Sequence, residues 1–121
     1  MAADAVQLLL DVWNGAPSDL LPSILSLHYR GHMLHLPVGE RDTAAYPAWI
    51  GDYRHNNPNA RFETVERFVA GDRVVSRLRA TRQSPELGFE FANGINISRI
   101  DPDGRIAEEW AIWTAWMEGD A

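Results

Sequence analysis

From residue 60 onward the chain is built almost wholly of long β-type stretches, and this constrains its fold more than any other feature. Segments 60–70, 73–83, 89–100 and 105–117 are rich in β-branched and aromatic residues and are set apart by turn formers, among them Gly71-Asp72 and the "DPDG" of 101–104. Extended stretches joined by short turns pair most simply as successive antiparallel hairpins. A sheet of this size needs one face covered, and the residues that can cover it come first in the chain.

Before residue 60 the periodicity is helical. Val6, Leu9, Leu10 and Trp13 recur at three- and four-residue spacing and "NGAPSD" interrupts the pattern, which predicts an amphipathic helix over 3–13. Ser18 or Asp19 can cap a second helix running to about residue 27, with Pro22 tolerated in its first turn. The segment "HMLHL", 32–36, reads as short and extended. Asp42 or Thr43 can cap a third helix to about residue 55, with Pro47 near its start and "NNPN" at its end. Helices first and long strands after predict an α+β fold: a curved antiparallel sheet wrapped around three N-terminal helices and enclosing a pocket. At 121 residues, segment 1–121 is expected to be a single domain with a core of its own.

Composition narrows the function. The formal net charge of -6 and pI near 5.1 disfavour a sequence-independent grip on nucleic acid or an anionic membrane. Small molecules or other protein chains are the expected partners. Without cysteine there are no disulfides, thiolate metal sites or cysteine nucleophiles, and without lysine there is no Schiff-base chemistry. His32 and His35 are three apart, which places them on opposite faces of an extended strand, so no metal site is expected. The opening apolar run is too short for a signal peptide or a membrane span, and a cytoplasmic protein is expected.

The last strand carries the strongest chemical signal. In "GRIAEEWAIWT" two carboxylates run into a tryptophan-rich segment. Alternation puts Glu109, Ala111 and Trp113 on one face and Glu108, Trp110, Ile112 and Trp116 on the other. If the smaller set faces the helices, it leaves room for a pocket. The larger set, with Ile95 and Ile97, then forms an apolar outer face that predicts a homodimer. In strand 73–83, Arg77 and Arg79 share one face while Ser76 and Leu78 share the other.

The segment "GINISRIDPDGRIAEEWAIW" resembles the closing hairpin of the SnoaL-like polyketide cyclases, in the superfamily named after nuclear transport factor two. Weaker matches extend the resemblance: "LLLDVWNGAPSDLL" to the family's first helix and loop, "HMLHLP" to its first strand and "ARFETVERFVAGDRVVSRLRATR" to its central hairpin. The resemblance implies a cone-shaped α+β barrel with a deep apolar pocket, commonly dimeric through the outer sheet face. It implies cofactor-free acid/base catalysis, in which a last-strand aspartate works with a histidine on the preceding strand in an aldol cyclisation. Carried over by the motif, the aspartate position falls at Ala111 and the histidine position at Asn96, so both differ here. The related limonene epoxide hydrolases use an arginine and two aspartates, which fall at Arg77, Arg79 and Ala111.

With Ala111 unable to move a proton, the expected catalytic set becomes Glu109, Asn96 and His35. Arg77, Arg79, Trp113, Trp49, Tyr53 and Trp13 are the expected substrate-binding residues. A carboxylate in an apolar pocket can act as general acid or base because desolvation moves its pKa toward the working range. The expected activity is aldol cyclisation, isomerisation or dehydration of an apolar, carbonyl-bearing molecule. A non-catalytic binding module or dimeric scaffold on the same fold is the competing expectation, and Ala111 motivates it.

Overall fold

A computed structural model describes residues 2–37, 39–84, 86 and 88–119. Helix α1 (Ala2–Trp13) leads through a 3₁₀ turn (Ser18–Leu20) into the single-turn α2 (Leu21–Ile24). Strands β1 (Leu25–Met33) and β2 (Glu40–Asp42) precede α3 (Tyr46–Asn56). Then come β3 (Arg61–Ala70), β4 (Arg73–Ser84), β5 (Gly88–Ile100), β6 (Ile106–Trp113) and the short β7 (Met117–Glu118). The four long stretches read from the sequence therefore form four consecutive strands, and three helices accompany one large sheet.

The sheet runs β2-β1-β6-β5-β4-β3, with β7 added against β5. All neighbours are antiparallel except β1 and β6, which run parallel. The two predicted turns hold: Gly71 has φ of 62° and Gly104 has φ of 90°, values that suit glycine in tight reversals. Val6, Leu9 and Val12 of α1, Ile24 of α2 and Tyr46 and Ile50 of α3 pack with Leu25, Tyr29, Val74, Ile100 and Ile106 of the sheet. The helices thus cover one face of a curved, unclosed sheet, as expected for the α+β fold.

The N-terminal half departs from local expectation. The second helix stops at Ile24 instead of near residue 27, and Leu25 is already extended at φ -100° and ψ 135°. The chain from Leu25 to Met33 pairs with β6, and that ladder outweighs a helical preference that was weak to begin with. The extended piece predicted over 32–36 ends at Met33, and 34–35 form a turn. Helix α3 begins at Tyr46, while Asp42 accepts the Ala45 N–H ahead of it.

Two glycines let large rings cross the sheet. Gly94 of β5 pairs with Trp113 of β6, and a Cβ at Gly94 would collide with the Trp113 indole. Gly31 of β1 pairs with Glu109, and a Cβ there would collide with the Tyr29 hydroxyl.

Candidate functional site

Between the helices and the concave sheet face lies a cavity of about 370 Å³. Its sheet wall includes the small residues Ser76, Ala80, Ala92 and Ala111, which leave space that larger side chains would fill. Trp13, Trp49, Tyr53, Phe62 and Trp113 close round it. The aromatic wall is a set of edge-on contacts: Trp13 lies 5.1 Å from Trp49, 5.5 Å from Tyr53 and 5.6 Å from Phe62, between ring centroids. Such contacts fix the rings beyond what area burial alone would do.

Glu109 stands in this wall at 3 % exposure. The Tyr29 hydroxyl donates to its Oε1 at 2.6 Å, and Asn96 Nδ2 donates to Oε2 at 2.9 Å. Ser98 Oγ lies 3.4 Å from Oε2 and donates at 2.8 Å to Asn96 Oδ1, which holds the Asn96 amide the right way round. All three neighbours are neutral: Tyr29 and Asn96 donate to Glu109, and Ser98 has one proton to give to either Asn96 Oδ1 or Glu109 Oε2. Burial pushes the Glu109 carboxyl above its ordinary pKa, and the bonds from Tyr29, Asn96 and Ser98 pull in the other direction. Burial and the nearby Glu109 likewise raise Tyr29 far above an ordinary phenol, so Tyr29 stays a donor. Tyr46, completely buried, accepts from Trp13 Nε1 at 2.8 Å and packs edge-on against Tyr29.

Of the residues expected at the site, the structure brings Glu109, Asn96, Trp113, Trp49, Tyr53 and Trp13 to the cavity wall. His35 also lines it, at an exposed position in the turn after β1, where its Nδ1 accepts the Trp113 backbone N–H at 3.2 Å. Ala111 is buried in the wall beside Glu109 and places only a methyl there.

Arg77 and Arg79 do not belong to the cavity. Antiparallel partners share a face, and Asn96 pairs with Ser76, whereas Arg77 pairs with Ile95 and Arg79 with Asn93. Ser76, Leu78 and Ala80 therefore face inward. Arg77 instead donates to Glu66 at 2.9 Å on the exposed side, and the Arg79 guanidinium lies 5.1 Å from the Phe91 ring. Trp116 is also corrected, from the outer face to the cavity wall. Strand β6 ends at Trp113, so alternation no longer governs residue 116, and the Arg82 guanidinium sits 4.2 Å over the Trp116 ring. Arg82 is itself held by Glu90 at 3.0 Å and Asn57 at 2.6 Å.

Sequence reasoning missed Arg67, Tyr29 and Ser98. Arg67 reaches the cavity because β3 bulges: Thr64 opposes Leu78 and Glu66 opposes Arg77, leaving Val65 as the extra residue. After the bulge the inward parity changes and Arg67 pairs with Ser76. No local signal marks that bulge. Tyr29 fell between a predicted helix and a predicted strand. Ser98 was accessible to reasoning, since it lies two residues beyond Asn96 on the same strand face.

No family model matches the sequence, and no curated protein matches it. Solved structures do. The chain superposes on wild-type IdmH, a proposed polyketide cyclase from Streptomyces antibioticus, with a TM-score of 0.80 and 19% identity, covering 93% of this chain and 91% of that one. A proposed polyketide cyclase from Bacillus cereus gives 0.77 and 24% identity over 93% of this chain and 73% of the other. A proposed isomerase of the SnoaL-like family from Agrobacterium tumefaciens gives 0.74 and 20% identity over 92% and 95%. The fold is therefore that of the SnoaL-like proteins of the nuclear transport factor two superfamily, the likeness read from the closing hairpin.

Proposed function

We propose that this protein is a cofactor-free acid/base catalyst that moves a proton at a carbon next to the carbonyl of an apolar substrate. The observation that carries this reading is Glu109, a buried carboxyl in the wall of a cavity, held by neutral donors alone. Ionised, Glu109 can accept the proton; protonated, it can return it at another atom, which serves aldol cyclisation, isomerisation or dehydration alike. Burial raises its pKa, which makes the ionised carboxylate a stronger base than an exposed glutamate. Asn96 Nδ2 uses one N–H on Glu109, and its second N–H is available to polarise the substrate carbonyl as the enolate forms. The names of the structural neighbours, proposed cyclases and an isomerase, agree with this class of chemistry.

The test is α-proton exchange of 2-tetralone in deuterated buffer, followed by proton NMR. Wild-type protein should accelerate exchange over buffer, and Glu109→Gln should lower the protein-dependent rate at least about 100-fold, the low end of what a positioned base contributes. An unchanged rate in Glu109→Gln sinks the assignment. Ala111 favours a second reading, a ligand-binding module on the same fold. That reading predicts 2-tetralone binding with no exchange above buffer.

A homodimer through the outer sheet face belongs to the same proposal. Ile95, Ile97 and Ile112 lie there at 48%, 36% and 50% exposure, and Ile95 pairs directly with Ile112.

A further inference from the structure

Among the described residues lining the cavity, Arg67 is the one guanidinium, and its partners differ from those of the ion-paired arginines. Arg30, Arg77, Arg82, Arg99 and Arg105 each lie 2.7–3.3 Å from a carboxylate oxygen. Arg67 instead donates to three neutral oxygens: Ser76 Oγ at 3.2 Å, Gln7 Oε1 at 3.0 Å and Thr64 Oγ1 at 2.9 Å. Asp11 acts on it only from beyond Gln7, whose Nε2 donates to Asp11 Oδ1 at 3.0 Å. A guanidinium carries five N–H groups, so two remain after these bonds. Burial opposes the charge, and among the described residues no carboxylate in direct contact offsets that cost.

Position adds a second argument. Arg67, Ser76, Asn96 and Ala111 form one row across β3, β4, β5 and β6 on the concave face. Arg67 starts from β3 and bonds Ser76 of β4, whereas Glu109 starts from β6 and is bonded by Asn96 of β5, so the two backbones stand three strand steps apart, about 14 Å at the usual spacing, and the side chains take different partners. The two do not pair. The space between them is the cavity, walled by Trp13, Trp49, Phe62 and Trp113.

We infer that the cavity takes a ligand with an apolar, ring-bearing body and a carboxylate head, the head bound by Arg67 at the end remote from Glu109. This rests on the acid/base reading above for the role of Glu109, and it specifies the substrate class of the same site. A neutral ligand would leave the Arg67 charge uncompensated in a partly dehydrated site. A carboxylate there can accept charge-assisted hydrogen bonds from the two remaining N–H groups, in a site where screening by water is reduced. It also overcomes the repulsion that a chain of net charge -6 exerts on an anion. The reacting carbon would lie several bonds from the carboxylate, at the Glu109 end.

The experiment compares two probes of nearly equal shape, 2-naphthoate and 2-acetonaphthone, by isothermal titration calorimetry. Wild-type protein should bind the carboxylate at least tenfold more tightly than the ketone. Arg67→Gln should abolish that preference, Arg67→Lys should keep part of it, and Glu109→Gln should keep all of it. Equal affinities in wild type, no naphthoate binding at millimolar concentration, or a preference that survives in Arg67→Gln would each overturn the inference. Should Arg67→Gln not fold by circular dichroism, the wild-type comparison decides. The Glu109→Gln arm separates the two claims: loss of exchange concerns the acid/base reading, and probe preference concerns Arg67 alone.

Discussion

Glu109 combines two opposing influences, and its pH behaviour follows from their balance. Burial raises its pKa above the ordinary carboxylate value and wins over the bonds from Tyr29, Asn96 and Ser98. In the unfolded chain the same group titrates near its ordinary value, so between the two pKa values the folded state binds more protons. Its contribution to stability is fully present below the unfolded pKa and is lost as pH rises through the raised folded pKa. Urea unfolding at a series of pH values should show that loss in wild type and not in Glu109→Gln, where nothing ionises. An identical slope in both proteins would mean that burial does not govern this carboxyl. Glu109 could be found from sequence because one inward carboxylate stood beside the vacant Ala111. Arg67 could not, because its facing depends on a bulge opposite Leu78 and Arg77.

Strand β6 explains how one stretch can carry charge and bulky rings at neighbouring positions. Glu109, Ala111 and Trp113 line the cavity, while Glu108 turns outward, where His32 at 2.8 Å and then Arg99 at 3.3 Å hold its carboxyl below the ordinary range. The inward tryptophan depends on its neighbour in β5: the Trp113 ring occupies the place of a Gly94 side chain. Gly94→Ala should displace the ring and destabilise the protein by about 1–3 kcal/mol, as overpacking of a fitted site does. A lowered urea midpoint with altered tryptophan fluorescence is the expected result, and an unchanged midpoint would refute the packing argument. Elements stabilised by their own hairpins, β3 to β6, were legible because each partner adjoins it in sequence. Strand β1 was not, since its partner β6 lies about 80 residues away and local spacing carries no trace of that pairing.

For the whole molecule, the outer sheet face sets the proposed state of assembly. Ile95, Ile97 and Ile112 present apolar surface, and Trp110 between them is half-buried by a stacked His32 and an overlying Arg73. Sedimentation velocity at micromolar concentration should report a dimer for wild type and a monomer for Ile97→Arg, which sets a charge in the contact. A monomeric wild type would remove the proposal. Because Trp116 folds inward, the contact is smaller than alternation along the last strand implied.

The order of helices and long strands, the turns at Gly71 and Gly104, the α+β class and the two alternating residue sets of β6 were all written in local patterns of residues. Periodicity and turn chemistry act over a few neighbours, so one chain suffices to read them. Cross-strand register, the bulge in β3, the end of β6 and the pairing of β1 with β6 were decided only in three dimensions, by contacts between distant segments. Those contacts place Tyr29 and Ser98 beside Glu109, turn Arg67 inward and turn Arg77 and Arg79 out. A strand exposes alternate residues whichever face is buried, and only its partners determine which set lines the cavity.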